Sequence, residues 1–242
     1  MTDSCVGGKV GINFGEAKNL AALFSAPRKV KIDVTYLNSL SKEDLLSGLG
    51  EALRLHLTGG THFIKKFNEN IDGAIEFKKK NLINIIKNSL LVKKAVVEKD
   101  EYEFDIRRSM NFGHSFGHAL EVLCNHSIAH GKAVTIGMCI EILLCQKKFK
   151  VQKKVYEQTL PLALKLLTKK DHKNLKKANF KNLNNIMQKD KKTLKGVIKF
   201  TVPKKLGFIK FFDQKLDKNN MNEIIRANKI FIKALDGKKN SN

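Results

Sequence analysis

Apolar and polar positions follow two rhythms along this chain. Arg28–Val34 (RKVKIDV) alternates basic and apolar side chains with a period of two, which predicts a strand. From Ser41 onward the apolar residues recur at helical spacing. Ser41, followed by Glu43 and Asp44, predicts an N-terminal cap for a helix over Leu45–Leu57, and Gly59-Gly60 predicts its stop. The same rhythm predicts helices over Phe63–Phe77, Leu82–Val97, His114–Cys124 and Ala133–Phe149, with a polar loop at Asn125–Gly131. Residues 152–189 read as shorter Lys-rich helices. Val197–Val202 and Phe208–Phe211 read as short strands around Pro203 and Gly207, and Asn222–Leu235 as a final helix before a frayed tail. Residues 1–26 are rich in glycine and small side chains, which is loop or hairpin chemistry, with Gly7-Gly8 able to take positive φ. One strand and one hairpin cannot make a stable sheet alone, so this segment reads as the edge of a domain.

Composition narrows the class. The chain has 242 residues, 42% hydrophobic and 29% charged, which suits a globular protein of one large domain or two small ones. No apolar run approaches the ~20 residues of a membrane span. No basic stretch leads into an apolar core at the N-terminus, and the four cysteines form no CxxC pair. A reducing, cytoplasmic setting and no membrane partner are therefore expected.

The formal charge of +23 invites a nucleic-acid reading, but its type argues otherwise. Of the 46 basic residues only Arg28, Arg54, Arg107, Arg108 and Arg226 are arginine. Base and phosphate forks favour Arg, whereas Lys is a solvated point charge. Trp is absent, and no aromatic-studded basic stretch accompanies the lysines. A Lys-rich solvated surface is expected; a binding site for a phosphorylated small anion would also draw on a few of these charges. There is no GxGxxG after a strand, no P-loop and no internal repeat.

The chemistry concentrates in Arg107–Met138. His114 and His118 lie four apart on a helix start and project from one face, flanked by Gly113 and Gly117. His130 precedes the next helix. Two or three imidazoles with a carboxylate from elsewhere make a metal site with an open position, the pattern of catalytic zinc. This is not HExxH, since Glu121 lies three residues after His118. His126 is a rival ligand four residues before His130, and His56, His62 and His172 read as structural or exposed.

The run NFGHSFGHALE (Asn111–Glu121), followed by HGKAV from His130, resembles the metal-site signature of 3-dehydroquinate synthases, LNFGHTxGHAxE … HGEAVxxGM. DSCVGGKVGINFGEAKNL (Asp3–Leu20) is similar to that family's DSSVGGKTGIN…GKNL. SGLGEALR (Ser47–Arg54) is close to AGxAEVIK. Asp190-Lys191-Lys192 followed by GVIKFTVPKKLG is similar to DKK…G.IRFVLLxxIG. The four motifs stand in family order over nearly the whole chain.

The resemblance implies a cyclase that converts 3-deoxy-arabino-heptulosonate 7-phosphate to 3-dehydroquinate with phosphate release. It implies NAD and a divalent metal, zinc or alternatively cobalt, and, for a complete enzyme, a homodimer. It places the metal on Glu51, His114 and His130. His118 becomes the substrate-contacting, proton-handling residue, with Lys9, Asn111, Arg107 and Glu103 beside it in catalysis. Asp3, Asn19, Arg54, Lys94 (with Lys93 as the adjacent alternative) and Lys191 fall on substrate-binding positions, and Lys9, Lys18 and Asn19 on cofactor-binding ones. Three departures stand out. Arg54 replaces a lysine, Cys5 a serine, and Lys132 the glutamate beside His130, reversing a charge near the metal.

The implied fold is mainly α. A helical metal-binding C-terminal domain (39–242) carries a short β hairpin near its C-terminus, and an N-terminal remnant of an α/β Rossmann-like domain occupies 1–38. The glycine-rich nucleotide turn of the family would precede Asp3. On this reading the chain is the C-terminal portion alone, without the NAD-binding half. It is then inactive by itself, unless a separate chain supplies that half. Two other readings compete: a related cyclase of the 2-deoxy-scyllo-inosose type, and a non-catalytic basic interaction protein on the same fold.

Overall fold

The computed structural model describes residues 2–14, 17–188 and 196–239, and within these the side chains of Asn13, 17–20, Lys147, Asn184, Lys238 and Lys239 are left aside. The fold is mainly helical with two small antiparallel hairpins.

The first hairpin pairs β1 (Lys9–Phe14) with β2 (Ala17–Phe24). Gly7 and Gly8, at φ 108° and 63°, turn the chain into β1. Arg28–Val34 forms no strand; it runs irregularly into a short 3-10 turn at Val34–Ser39, which Asp33 caps by accepting the Thr35 N–H. Alternation alone did not suffice, because among the described residues β1 pairs only with β2 and no free ladder meets this segment.

Three helices follow: α1 (Lys42–Gly59), α2 (Thr61–Ile75) and α3 (Lys79–Val97). Ser41 caps α1 as expected, its Oγ accepting the Asp44 N–H at 3.1 Å. After a 3-10 turn at Ile106–Asn111 come α4 (His114–Leu123) and α5 (His130–Phe149). Helix α5 is the central element. Val134, Ile136, Met138, Cys139, Ile140 and Ile142 are all fully buried, so it is covered on every side. Around it pack α1, α4, α6 (Lys153–Leu166) and, past α7 (Lys169–Lys177) and α8 (Leu183–Gln188), the second hairpin and α9 (Lys218–Lys239). That hairpin pairs β3 (Val197–Lys205) with β4 (Phe208–Lys215).

Glycines let three helices meet closely. A Cβ on Gly131 of α5 would stand 1.9 Å from the Ser47 carbonyl oxygen of α1, and one on Gly50 2.3 Å from the Gly131 oxygen. A Cβ on Gly117 of α4 would press on Val134 at 2.9 Å, and one on Gly137 on the Gly113 oxygen at 2.2 Å. These contacts bring the residues that follow or face them, Glu51, His114 and His130, to one point.

Candidate metal centre

His114 opens α4, His118 lies one turn on, and His130 opens α5. Their ring centroids stand 5.4 to 5.6 Å apart. One ligand atom from each lies within 4.8 Å of the others, which makes this triad a group able to hold a metal ion. Glu51 reaches the same point from α1. Its Oε1 is 3.4 Å from His130 Nε2 and 3.8 Å from His114 Nε2. That oxygen is buried and has no hydrogen-bond partner.

The donor set fits a divalent metal. A tetrahedral ion with bonds of ~2.0–2.1 Å holds its ligand atoms about 3.3 Å apart, close to the spacing found here. A buried carboxylate oxygen that faces two imidazole nitrogens and accepts no hydrogen bond is left with an unused acceptor site that a metal ion would fill.

Neighbours orient these side chains. Glu121 Oε2 lies 2.9 Å from His130 Nδ1, and the Phe112 carbonyl 3.3 Å from His114 Nδ1, so both rings turn Nε2 toward Glu51. Arg54 takes the other oxygen of Glu51, donating from Nε at 3.0 Å and Nη2 at 2.8 Å. Burial opposes ionisation of Glu51, but Arg54, His130 and Lys93 outweigh it and hold the carboxyl below its usual range.

Arg54 is only 2% exposed. Its remaining hydrogens go to the Met110 carbonyl at 2.6 Å and to Asp3 Oδ2 at 3.0 Å. Arg54 is thus engaged by Glu51, Asp3 and the Met110 carbonyl. Asp3 also pairs with Lys93, whose Nζ bonds its carbonyl and its carboxylate. Burial lowers the Lys93 pKa, with Asp3 acting against that shift. Lys94 points outward instead, two-thirds exposed and 3.6 Å from Glu98. Of the adjacent pair it is Lys93 that joins the site.

A second group lies beyond Met110. Asn111 donates to Glu103 Oε1 at 2.9 Å, and Lys9 pairs with the other Glu103 oxygen. Glu103 holds φ 64° outside any helix, so the i, i+4 support it could give Arg107 does not form. Arg107 is buried, bonding the Gly7 carbonyl at 2.6 Å and the Glu101 carbonyl. The hairpin is therefore tied to the helical body through Asp3, Gly7 and Lys9. Lys132 turns away from Glu51 and the histidine cluster. It is fully buried and binds Asp171 Oδ2 at 2.8 Å and Glu43, so the charge reversal beside His130 falls on a helix-to-helix pair. His126 sits exposed in the loop at φ 55°, outside the ligand group. The side chains of Lys18 and Asn19 and all of Lys191 lie outside the described residues.

Glu121 is the residue that sequence reading passed over. Its signal was present: a carboxylate one turn beyond His118, at the right spacing to meet a ligand arriving from the next helix.

Comparison with known proteins supplies the lineage. Residues 48–193 match the family model described as 3-dehydroquinate synthase C-terminal, and residues 1–47 the one described as 3-dehydroquinate synthase N-terminal. The second match corrects the expectation of a C-terminal portion alone, because the family's N-terminal domain contributes to this chain. 3-Dehydroquinate synthase of Dictyoglomus turgidum is 33% identical over 218 residues, 88% of this chain and 59% of the relative. That of Dictyoglomus thermophilum is 32% identical over 98% of this chain and 64% of the relative. The chain thus spans about three-fifths of the length of these relatives. Two solved structures share the fold at 20% identity: 2-epi-5-epi-valiolone synthase from Streptomyces hygroscopicus with NAD+ and Zn2+ bound (TM-score 0.78, 96% of this chain, 63% of that one), and 2-deoxy-scyllo-inosose synthase complexed with carbaglucose-6-phosphate, NAD+ and Co2+ (0.81, 93% and 63%). With its four sequence motifs and its histidine cluster now joined by these matches, the chain belongs to the 3-dehydroquinate synthase family.

Proposed function

We propose that this chain holds a divalent metal, zinc or cobalt, on Glu51, His114 and His130, and works on a phosphorylated sugar acid. The reaction proposed is conversion of 3-deoxy-arabino-heptulosonate 7-phosphate to 3-dehydroquinate with loss of phosphate. The observation that carries this reading is the buried Oε1 of Glu51, which accepts no hydrogen bond and lies between two imidazole nitrogens.

A bound divalent metal supplies Lewis-acid polarisation of a substrate oxygen. The chain's own residues do the rest. Glu51 stays ionised because Arg54 grips its far oxygen. His118 stands beside the two ligand histidines and takes or returns a proton. Lys9, Lys93 and Arg107 lie in the strip from Asp3 to Glu103 and are the cations a phosphate dianion would draw on, Lys9 and Lys93 exchanging Glu103 and Asp3 for it. For NAD, Lys9 is the described side chain among the expected contacts, and it is engaged by Glu103. No step here runs through the nucleotide.

The dehydroquinate reading is preferred over other cyclases because sequence relatives at 31–36% identity carry that name, whereas the valiolone and inosose enzymes stand at 18–20%. A ligand panel tests it. Metal-loaded protein should gain thermal stability with the heptulosonate phosphate and far less with carbaglucose-6-phosphate. The reverse order would assign the chain to the other cyclase class. Stabilisation by neither ligand would favour the interaction-protein reading.

A further inference from the structure

Helix α5 is apolar from Ala133 to Cys145 except at Thr135 and Glu141, and Glu141 has no exposure to solvent. A carboxylate sealed in a core needs partners. Glu141 finds them on the neighbouring helix. Its Oε2 accepts the Gly113 N–H at 2.9 Å, and its Oε1 accepts the Phe116 N–H at 3.1 Å.

Those two donors bracket His114. The N-cap position of α4 is Gly113, at φ 77° and with no side chain to cap the helix. The first N–H groups of a helix have no partner within it, and an Asp, Ser or Thr usually accepts from them locally. Here the acceptor comes from another helix. The carboxylate also meets the positive end of the α4 dipole, where negative charge is favoured.

We propose that Glu141 is a positioning residue for the metal centre: a remote N-cap that fixes where α4 starts and how it is rotated, and so where His114 and His118 point. This rests on the metal reading given above. The glycine contacts set how closely α4 and α5 approach, but a smooth glycine face tolerates sliding. Two hydrogen bonds from one planar carboxylate to N–H groups three residues apart do not.

The test uses the full chain and cobalt(II) alone as the probe. Glu141→Gln keeps the side-chain volume and one acceptor, so the core survives, and Glu141→Ala removes both acceptors. In metal-free protein, amide exchange at Gly113 and Phe116 should rise about tenfold in Glu141→Gln and further in Glu141→Ala. Cobalt affinity should weaken 10- to 100-fold, with a changed visible spectrum of the bound ion. Ile224→Ala in α9, matched for loss of melting temperature, should move neither readout. The inference is overturned if Glu141→Gln leaves exchange and cobalt affinity at wild-type values, or if Ile224→Ala shifts both as much. Wild-type protein that takes up no cobalt would refute the metal reading, while unchanged exchange in both Glu141 variants would refute this inference whatever the metal does.

Discussion

Gly131→Ala is the sharpest perturbation of the three-helix junction. The added Cβ would stand 1.9 Å from the Ser47 carbonyl oxygen and 2.7 Å from its carbon. Real Cβ atoms essentially never come within 3.0 Å of such atoms, so α1 and α5 must part by about 1.1 Å. Both atoms struck belong to backbone and cannot rotate away. The residue before Gly131 is His130, and Glu51 follows one turn after Ser47, so the shift falls on the 3.4 Å gap between Glu51 Oε1 and His130 Nε2. Metal–ligand distances tolerate about 0.2 Å. A displacement of that size should cost roughly 30-fold in zinc affinity, ~2 kcal/mol. Overpacking costs about 1–3 kcal/mol of stability, of which Ala regains about 1 through helix propensity. Gly48→Ala is the control: it lies on α1 next to Ser47, the residue struck, and its Cβ meets nothing within 4 Å. It should stabilise by about 1 kcal/mol and leave the metal untouched. Calorimetric zinc titration with parallel thermal melts reads both quantities. Gly131→Ala binding zinc within threefold of wild type would refute the claim that this close packing builds the centre.

Three further outcomes follow from particular contacts. Glu121→Ala should loosen zinc about 10- to 100-fold by freeing the His130 ring, with little change in urea midpoint; an affinity equal to wild type would show that Glu121 does not orient His130. Lys132→Met should destabilise by about 3–5 kcal/mol in denaturant titration, since it leaves the buried Asp171 carboxylate without this cation, and a double variant with Asp171→Asn, which keeps an acceptor for the Thr168 cap, should recover part of that; a Lys132→Met midpoint equal to wild type would show the pair to be idle. His56 is buried with its pKa pushed down to about 4, so the unfolded chain takes up a proton near pH 6.5 that the folded chain refuses until about pH 4. Stability should therefore fall as pH drops through that window, by about 1 kcal/mol at pH 5.5, and His56→Leu should flatten the slope measured by urea titration.

Most of the helices were legible because they bury one face, and burial at 3.6-residue spacing writes itself into the chain; α5, covered on every side, shows instead as a long apolar run. Ser41 and Gly60 marked the ends of α1 for local reasons that survive any tertiary context. Arg28–Val34 was misread because a strand is made by its neighbour, and alternation says nothing about whether a neighbour exists. The choice between Lys93 and Lys94 turned on a rotation of about 100° about the α3 axis, finer than a pattern of apolar residues fixes. Arg54 and Lys132 showed their charge in the sequence but not their partners, which come from Asp3, Met110, Glu43 and Asp171, remote in the chain. The expectation of a C-terminal portion alone gave way to the match of residues 1–47 with the N-terminal family model. In the structure the same segment is anchored to the site, as Arg54, Lys93 and Arg107 reach it at Asp3 and Gly7.

Metal stoichiometry tests the central claim most directly. Protein stripped with chelator, reloaded with zinc or cobalt and freed of excess should retain one equivalent. Glu51→Gln, His114→Ala and His130→Ala should each lose it, while His118→Ala keeps it. Wild-type protein retaining no metal, or a Glu51→Gln variant retaining a full equivalent, would contradict the account.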